Sequence, residues 1–106
     1  MSRLKQLQQF LEQNPDDSFI TFAIAKEYEK LGDTENALAH YLSIESQDPN
    51  YVGLYYHLGK LYENQADTEK ALLTYKKGMA VAQKANDNHA YNELAGAVEG
   101  ISDEWN

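Results

Sequence analysis

This chain repeats itself, and few folds can accommodate the repeat. Displaced by 34 residues, segment 18–51 falls on 52–85 with nine identical pairs: Lys26/Lys60, Tyr28/Tyr62, Glu29/Glu63, Asp33/Asp67, Thr34/Thr68, Glu35/Glu69, Ala37/Ala71, Leu38/Leu72 and Tyr41/Tyr75. A fixed offset of this size marks a supersecondary unit that stacks on copies of itself to bury its faces. The rest of the chain then reads as what precedes, closes and caps this pair.

Within each copy the periodicity is helical. Apolar residues recur at spacings of three and four, with no sustained alternation and no Asn-Gly or Asp-Gly hairpin turn. The first expected helix is 3–13, with Leu4, Leu7, Phe10 and Leu11 on one face. Asn14-Pro15 ends it and starts a second over 16–31, which carries Phe19, Ile20, Ala23, Ile24, Tyr28 and Leu31, with Asp16 and Asp17 in its first turn to meet the helix dipole. Gly32 closes that helix in the left-handed conformation, and Asp33 and Thr34 offer N-cap oxygens to a third over 34–47. Ala37, Leu38, Tyr41, Leu42 and Ile44 are expected inward there.

Asp48-Pro49 repeats the Asn14-Pro15 device and opens a fourth helix, 51–65, bearing Leu54, Tyr55, Leu58, Leu61 and Tyr62. Ala66-Asp67-Thr68 makes a turn weaker than the first, because Ala66 replaces Gly32. A fifth helix, 68–85, places Ala71, Leu72, Tyr75, Met79 and Ala82 inward and overruns the repeat, since no proline stops it. Asn86-Asp87-Asn88 breaks it and caps a sixth, 89–101, with Tyr91, Leu94, Ala95, Val98 and Ile101. The polar tail Ser102 to Asn106 is expected to fray, with Trp105 able to fold back onto the last helix.

The residues that repeat also resemble those of the tetratricopeptide repeat family, whose unit is a helix–turn–helix of this period. The second copy supplies Tyr55, Leu58, Gly59, Tyr62, Ala71 and Tyr75, and the first Ile24, Ala25, Tyr28, Gly32, Ala37, Tyr41 and Pro49. The resemblance covers roughly 15–85 and departs at Thr21, Ile44, Gly78 and Gln83. It implies an all-α fold, a short right-handed α-solenoid of antiparallel helical hairpins. The expected domain is 1–106, with an N-terminal cap helix 3–13, repeat one over 16–49, repeat two over 50–85 and a C-terminal cap helix 88–101. Met1 and the capped end lead us to expect a whole protein. Small residues at Ala25, Ala37, Gly59 and Ala71 should let the paired helices nest.

In this family the first helix of each repeat lines a concave groove. Carried over, the groove residues are Phe19, Phe22, Lys26 and Glu29 in repeat one and Tyr56, Lys60 and Glu63 in repeat two, after Gly53, with Tyr51 beside them. Aromatics beside charges suit a peptide partner. The alternative is that Phe19, Phe22 and Tyr56 are covered by helix 3–13 or by a second subunit. The residue set by which one subclass grips the C-terminal carboxylate of chaperones is not present: Phe22, Lys26 and His57 stand in three of its places.

Charge and composition bear on partners. The chain has net charge −8, and it is uneven: +1 over 1–13, −6 over 14–50, +2 over 51–85 and −5 over 86–106. An acidic chain without a basic stripe is a poor match for nucleic acid or for anionic membranes. No apolar run approaches the roughly 20 residues of a membrane span, no leader is evident, and cysteine is absent. His40, His57 and His89 fall on different helices without metal-ligand spacing, and none of the glycines forms a phosphate loop. The expectation is a non-enzymatic, cytoplasmic adaptor that binds a peptide or helix of another protein, with no cofactor and no metal. The alternative is a structural module that self-associates as a homodimer or larger oligomer, through its groove or its open ends.

Overall fold

The computed structural model describes residues 2–105, with the side chains of 2–101. It contains six α-helices: α1 (Arg3–Gln13), α2 (Ser18–Lys30), α3 (Thr34–Gln47), α4 (Leu54–Asn64), α5 (Thr68–Lys84) and α6 (Asn88–Trp105). Among the described residues there is no strand. The chain divides between Tyr51 and Val52 into two compact units.

In the first unit, α2 and α3 form a hairpin and α1 packs on α2. Leu7 is the buried residue of α1, against a core of Ile24, Ala25, Ala37, Tyr41 and Ile44. The hairpin can close because Ala25 and Ala37 bring almost no side chain to it, and both are wholly buried. In the second unit, α4 and α5 form the equivalent hairpin, and α6 packs mainly on α5 and partly on α4. Leu54, Tyr55, Leu58, Ala71, Tyr75, Ala82 and Leu94 make its core. Here Gly59 and Gly78 set the approach. A Cβ on Gly59 would lie 2.2 Å from Cε1 of Tyr75, and one on Gly78 would lie 2.4 Å from Cβ of Tyr55.

The turns are built alike. Gly32, Ala66 and Asn86 each adopt positive φ, at 79°, 61° and 57°. The following amide in each case reaches back five residues: Asp33 to Tyr28, Asp67 to Tyr62 and Asp87 to Ala82. This closes the last carbonyls of the preceding helix. The aspartates then act as N-caps, their carboxylates accepting from the amides of Asn36, Lys70 and Ala90. At Asp33 the hydrogen bonds from the Asn36 side chain and backbone hold the carboxyl below the usual carboxylate range.

Four expectations are corrected. The second helix begins at Ser18 rather than 16, because Asp17 is itself the N-cap and accepts from the Ile20 amide at 3.0 Å. The fourth begins at Leu54 rather than 51; the chain turns after Asp48, and Gly53 is an N-cap with no side chain to offer. The sixth continues to Trp105, so the backbone of the tail expected to fray is helical there; the side chain of Trp105 lies outside the described residues. Phe10, Leu31 and Leu42, expected on buried faces, are exposed. Phe10 sits at the edge of the Leu4–Leu7–Leu11 stripe, and Leu31 is already the C-cap of α2.

Candidate functional site

Residues at i, i+4 and i+7 share one face of a helix. On α2 these are Phe22, Lys26 and Glu29, and the hairpin brings Tyr41 of α3 beside them. The rings of Phe22 and Tyr41 are 5.9 Å apart, and Lys26 Nζ lies 5.7 Å from the centre of the Phe22 ring. The Tyr41 hydroxyl donates to Oε1 of Glu29. Tyr51 adds a third ring, 5.7 Å from Phe22. Below it, Ser18 donates to Asp48 at 2.7 Å.

The second unit builds the same four-residue cluster, displaced by the repeat length. On α4, Tyr56, Lys60 and Glu63 share a face, and Tyr75 of α5 stands beside them. The Tyr56 and Tyr75 rings are 6.4 Å apart, and Lys60 Nζ lies 5.4 Å from the centre of the Tyr56 ring. The Tyr75 hydroxyl donates to Oε2 of Glu63, which also pairs with Lys60 at 3.3 Å.

Burial, then the hydrogen bond to a carboxylate and its charge, push the Tyr41 and Tyr75 phenols far above the ordinary tyrosine range. They therefore stay donors at any physiological pH and hold the carboxylates in place. Burial also raises Tyr51, with the charges of Asp17 and Asp48 adding to the effect.

The expected site residues thus separate into groups. Phe22, Lys26, Glu29 and Tyr51 come together on the first unit, and Tyr56, Lys60 and Glu63 on the second. Phe19 stands outside the ring cluster. It is 70% exposed, so α1 does not cover it. It borders a cleft of about 510 Å³ with Arg3, Phe22, Ala23, Lys26, Glu27 and Lys30. The roles of Tyr41 and Tyr75 escape a reading of helical faces alone. Their signal lay in the repeat itself, where Glu29/Glu63 and Tyr41/Tyr75 are both identical pairs. Arg3, which pairs with Glu27 at 3.1 Å, had no such signal.

His40, His57 and His89 lie on α3, α4 and α6, and among the described residues no group of three His, Cys, Asp or Glu side chains could hold a metal. None of the described helices is long and apolar enough to cross a membrane. The arrangement presents rings and charges at fixed places.

The model of the tetratricopeptide repeat matches residues 22–51 and 52–84. The chain belongs to the tetratricopeptide repeat family. Solved structures agree. A crystal structure of a tetratricopeptide repeat domain protein from Salinibacter ruber is 38% identical, covering 81% of this chain and 96% of that one, with a TM-score of 0.78. A solution structure of such a domain from the same organism is 39% identical over 82% of this chain and 88% of the other, TM-score 0.79. A Bordetella parapertussis protein is 26% identical, covers 98% of this chain and 90% of its own, and has a TM-score of 0.84. No curated protein matches the chain. Tetratricopeptide repeats are generally non-enzymatic scaffolds for protein–protein interaction.

Proposed function

We propose that this tetratricopeptide repeat chain is a non-enzymatic adaptor that binds a peptide or helix of a partner protein through the first helix of each repeat. The contact residues are Phe19, Phe22, Lys26, Glu29 and Tyr51 on the first unit and Tyr56, Lys60 and Glu63 on the second. The observation that carries the reading is the duplicated cluster. In each copy a half-buried ring is steadied by a tyrosine and by a lysine, with a carboxylate held by the tyrosine hydroxyl. Rings already fixed in place lose little freedom on binding, and such anchors dominate interface energies. The charges around them orient the partner. The absence of cysteine suits a reducing compartment, and we place the protein in the cytoplasm.

A peptide array separates this reading from a purely structural one. Phe22→Ala and Tyr56→Ala, with circular dichroism confirming the helices, should each abolish most of the spots that wild type retains. An unchanged pattern in both folded variants would remove these faces as the binding site.

A further inference from the structure

The cleft beside α1 is charged against the trend of the molecule. Its apolar part is Phe19, Phe22 and Ala23, with Phe19 70% exposed. Its rim holds Arg3, Lys26 and Lys30 against the single carboxylate of Glu27, a local balance of +2 on a chain of −8. Arg3 and Glu27 are already paired at 3.1 Å, so each largely cancels the other. Among the described residues no carboxylate is in an ion pair with Lys26 or Lys30, and both are exposed. Lys30 lies in the last turn of α2, where a cation meets the negative end of the helix dipole. That accounts for Lys30 alone. Lys26 stands one turn earlier, over the Phe22 ring, and directs a second positive charge into the same cleft.

We infer that this cleft takes an acidic peptide segment carrying one bulky apolar side chain, the apolar group seated against Phe19 and Phe22 and the carboxylates facing Lys26 and Lys30. The inference deepens the proposed function and rests on it, by naming the chemistry of the partner at one of its faces. Positive charge beside an exposed ring selects against basic and uncharged segments by sign. Two cations without a carboxylate partner, on an acidic molecule, are too few to draw a nucleic acid strand, whose binding rests on many phosphate contacts.

The test is fluorescence anisotropy with a labelled synthetic peptide, Asp-Glu-Phe-Glu-Asp-Asp. Three relatives accompany it: one with serine for phenylalanine, one with asparagine and glutamine for the acids, and one with lysines for the acids. The acidic phenylalanine peptide should bind at least about tenfold tighter than any of the three, a difference of about 1.4 kcal/mol, and weaken as salt is raised. Lys26→Glu combined with Lys30→Glu should lose about tenfold or more, and Phe19→Ser a similar factor, with circular dichroism confirming the helices of each variant; Lys26→Gln combined with Lys30→Gln, which places no anion at the end of α2, should lose in the same direction. Equal binding of the neutral or lysine peptide overturns the charge assignment, while the array result for Phe22→Ala and Tyr56→Ala stands or falls separately. No binding of the acidic peptide, unchanged binding by the charge-reversed variant, or equal competition by a single-stranded oligonucleotide each overturns the inference outright.

Discussion

At equivalent positions 34 residues apart, the first unit places Thr21 and Ile44 and the second places Tyr55 and Gly78. All four are buried. In the second unit Tyr55 fills the space, and a β-carbon on Gly78 would also stand 3.0 Å from Leu94 Cδ1. In the first unit the bulk sits on the opposite helix, at Ile44, and Thr21 is the smaller residue of the two. Each departure from the family pattern looks like a defect when read singly. Taken as pairs, they place the larger side chain on opposite helices of the two hairpins, an exchange that conserves volume as cores tolerate best. A second difference runs the same way: Ala25 fits between its helices, whereas Gly59 has the Tyr75 ring where a methyl group would go.

Exchanging bulk between the two units should destabilise the fold most. Gly78→Ile forces a branched side chain against Tyr55 and should cost about 3 kcal/mol or more, read as a fall in Tm of at least about 10 °C. Adding Tyr55→Thr, which copies the first unit, should recover a good part of that loss. No recovery would show that the two positions do not share one volume.

Gly59→Ala comes next. Helix propensity favours alanine by about 1 kcal/mol, but the buried ring must move, and a net loss of about 1–2 kcal/mol is expected in urea titrations. The reverse change, Ala25→Gly, should cost about 1 kcal/mol from propensity alone.

The hydroxyl–carboxylate pairs test whether the two clusters are equally secured. Tyr41→Phe and Tyr75→Phe should each cost about 1 kcal/mol, with Tyr41→Phe the worse by a few tenths, because Glu63 keeps Lys60 whereas Glu29 has no cation in ion-pair contact among the described residues. Their pH behaviour has a definite sign. Both phenols are raised in the folded state, so above about pH 10 the unfolded chain has released a proton that the folded chain retains. Stability is therefore full below that pH and falls as pH rises beyond it. The double phenylalanine variant should lose less stability between about pH 9 and 11 than wild type does; equal slopes would show that the two phenols are not what titrates.

The smallest effect concerns the turns. Ala66 holds a positive φ that Gly32 adopts freely. Ala66→Gly should stabilise by about 0.5 kcal/mol, seen as a rise of a few degrees in Tm.

The fold was readable because repeat, caps and stripes agree. The bounds of α1 and α3 follow from the sequence alone, since Asn14-Pro15 and Asp33-Thr34 leave one reading. The start of α2 did not, because Pro15 and Asp17 each mark a helix start and the stronger N-cap prevailed. Facing residues at i, i+4 and i+7 were legible on α2 and α4. The tyrosines opposite them were not, since which side chain crosses a hairpin depends on the angle at which two helices meet. Thr74 and Gly78 were likewise missed as buried sites; a small residue inside a helix gives no periodic signal.

The four aspartates at the helix starts, Asp17, Asp33, Asp67 and Asp87, bear on how this molecule can be re-engineered. Part of its acidity is fastening rather than coating. Neutralising surface acids to raise the isoelectric point would be harmless at a residue such as Glu93, yet the same edit at any of these four would loosen a joint.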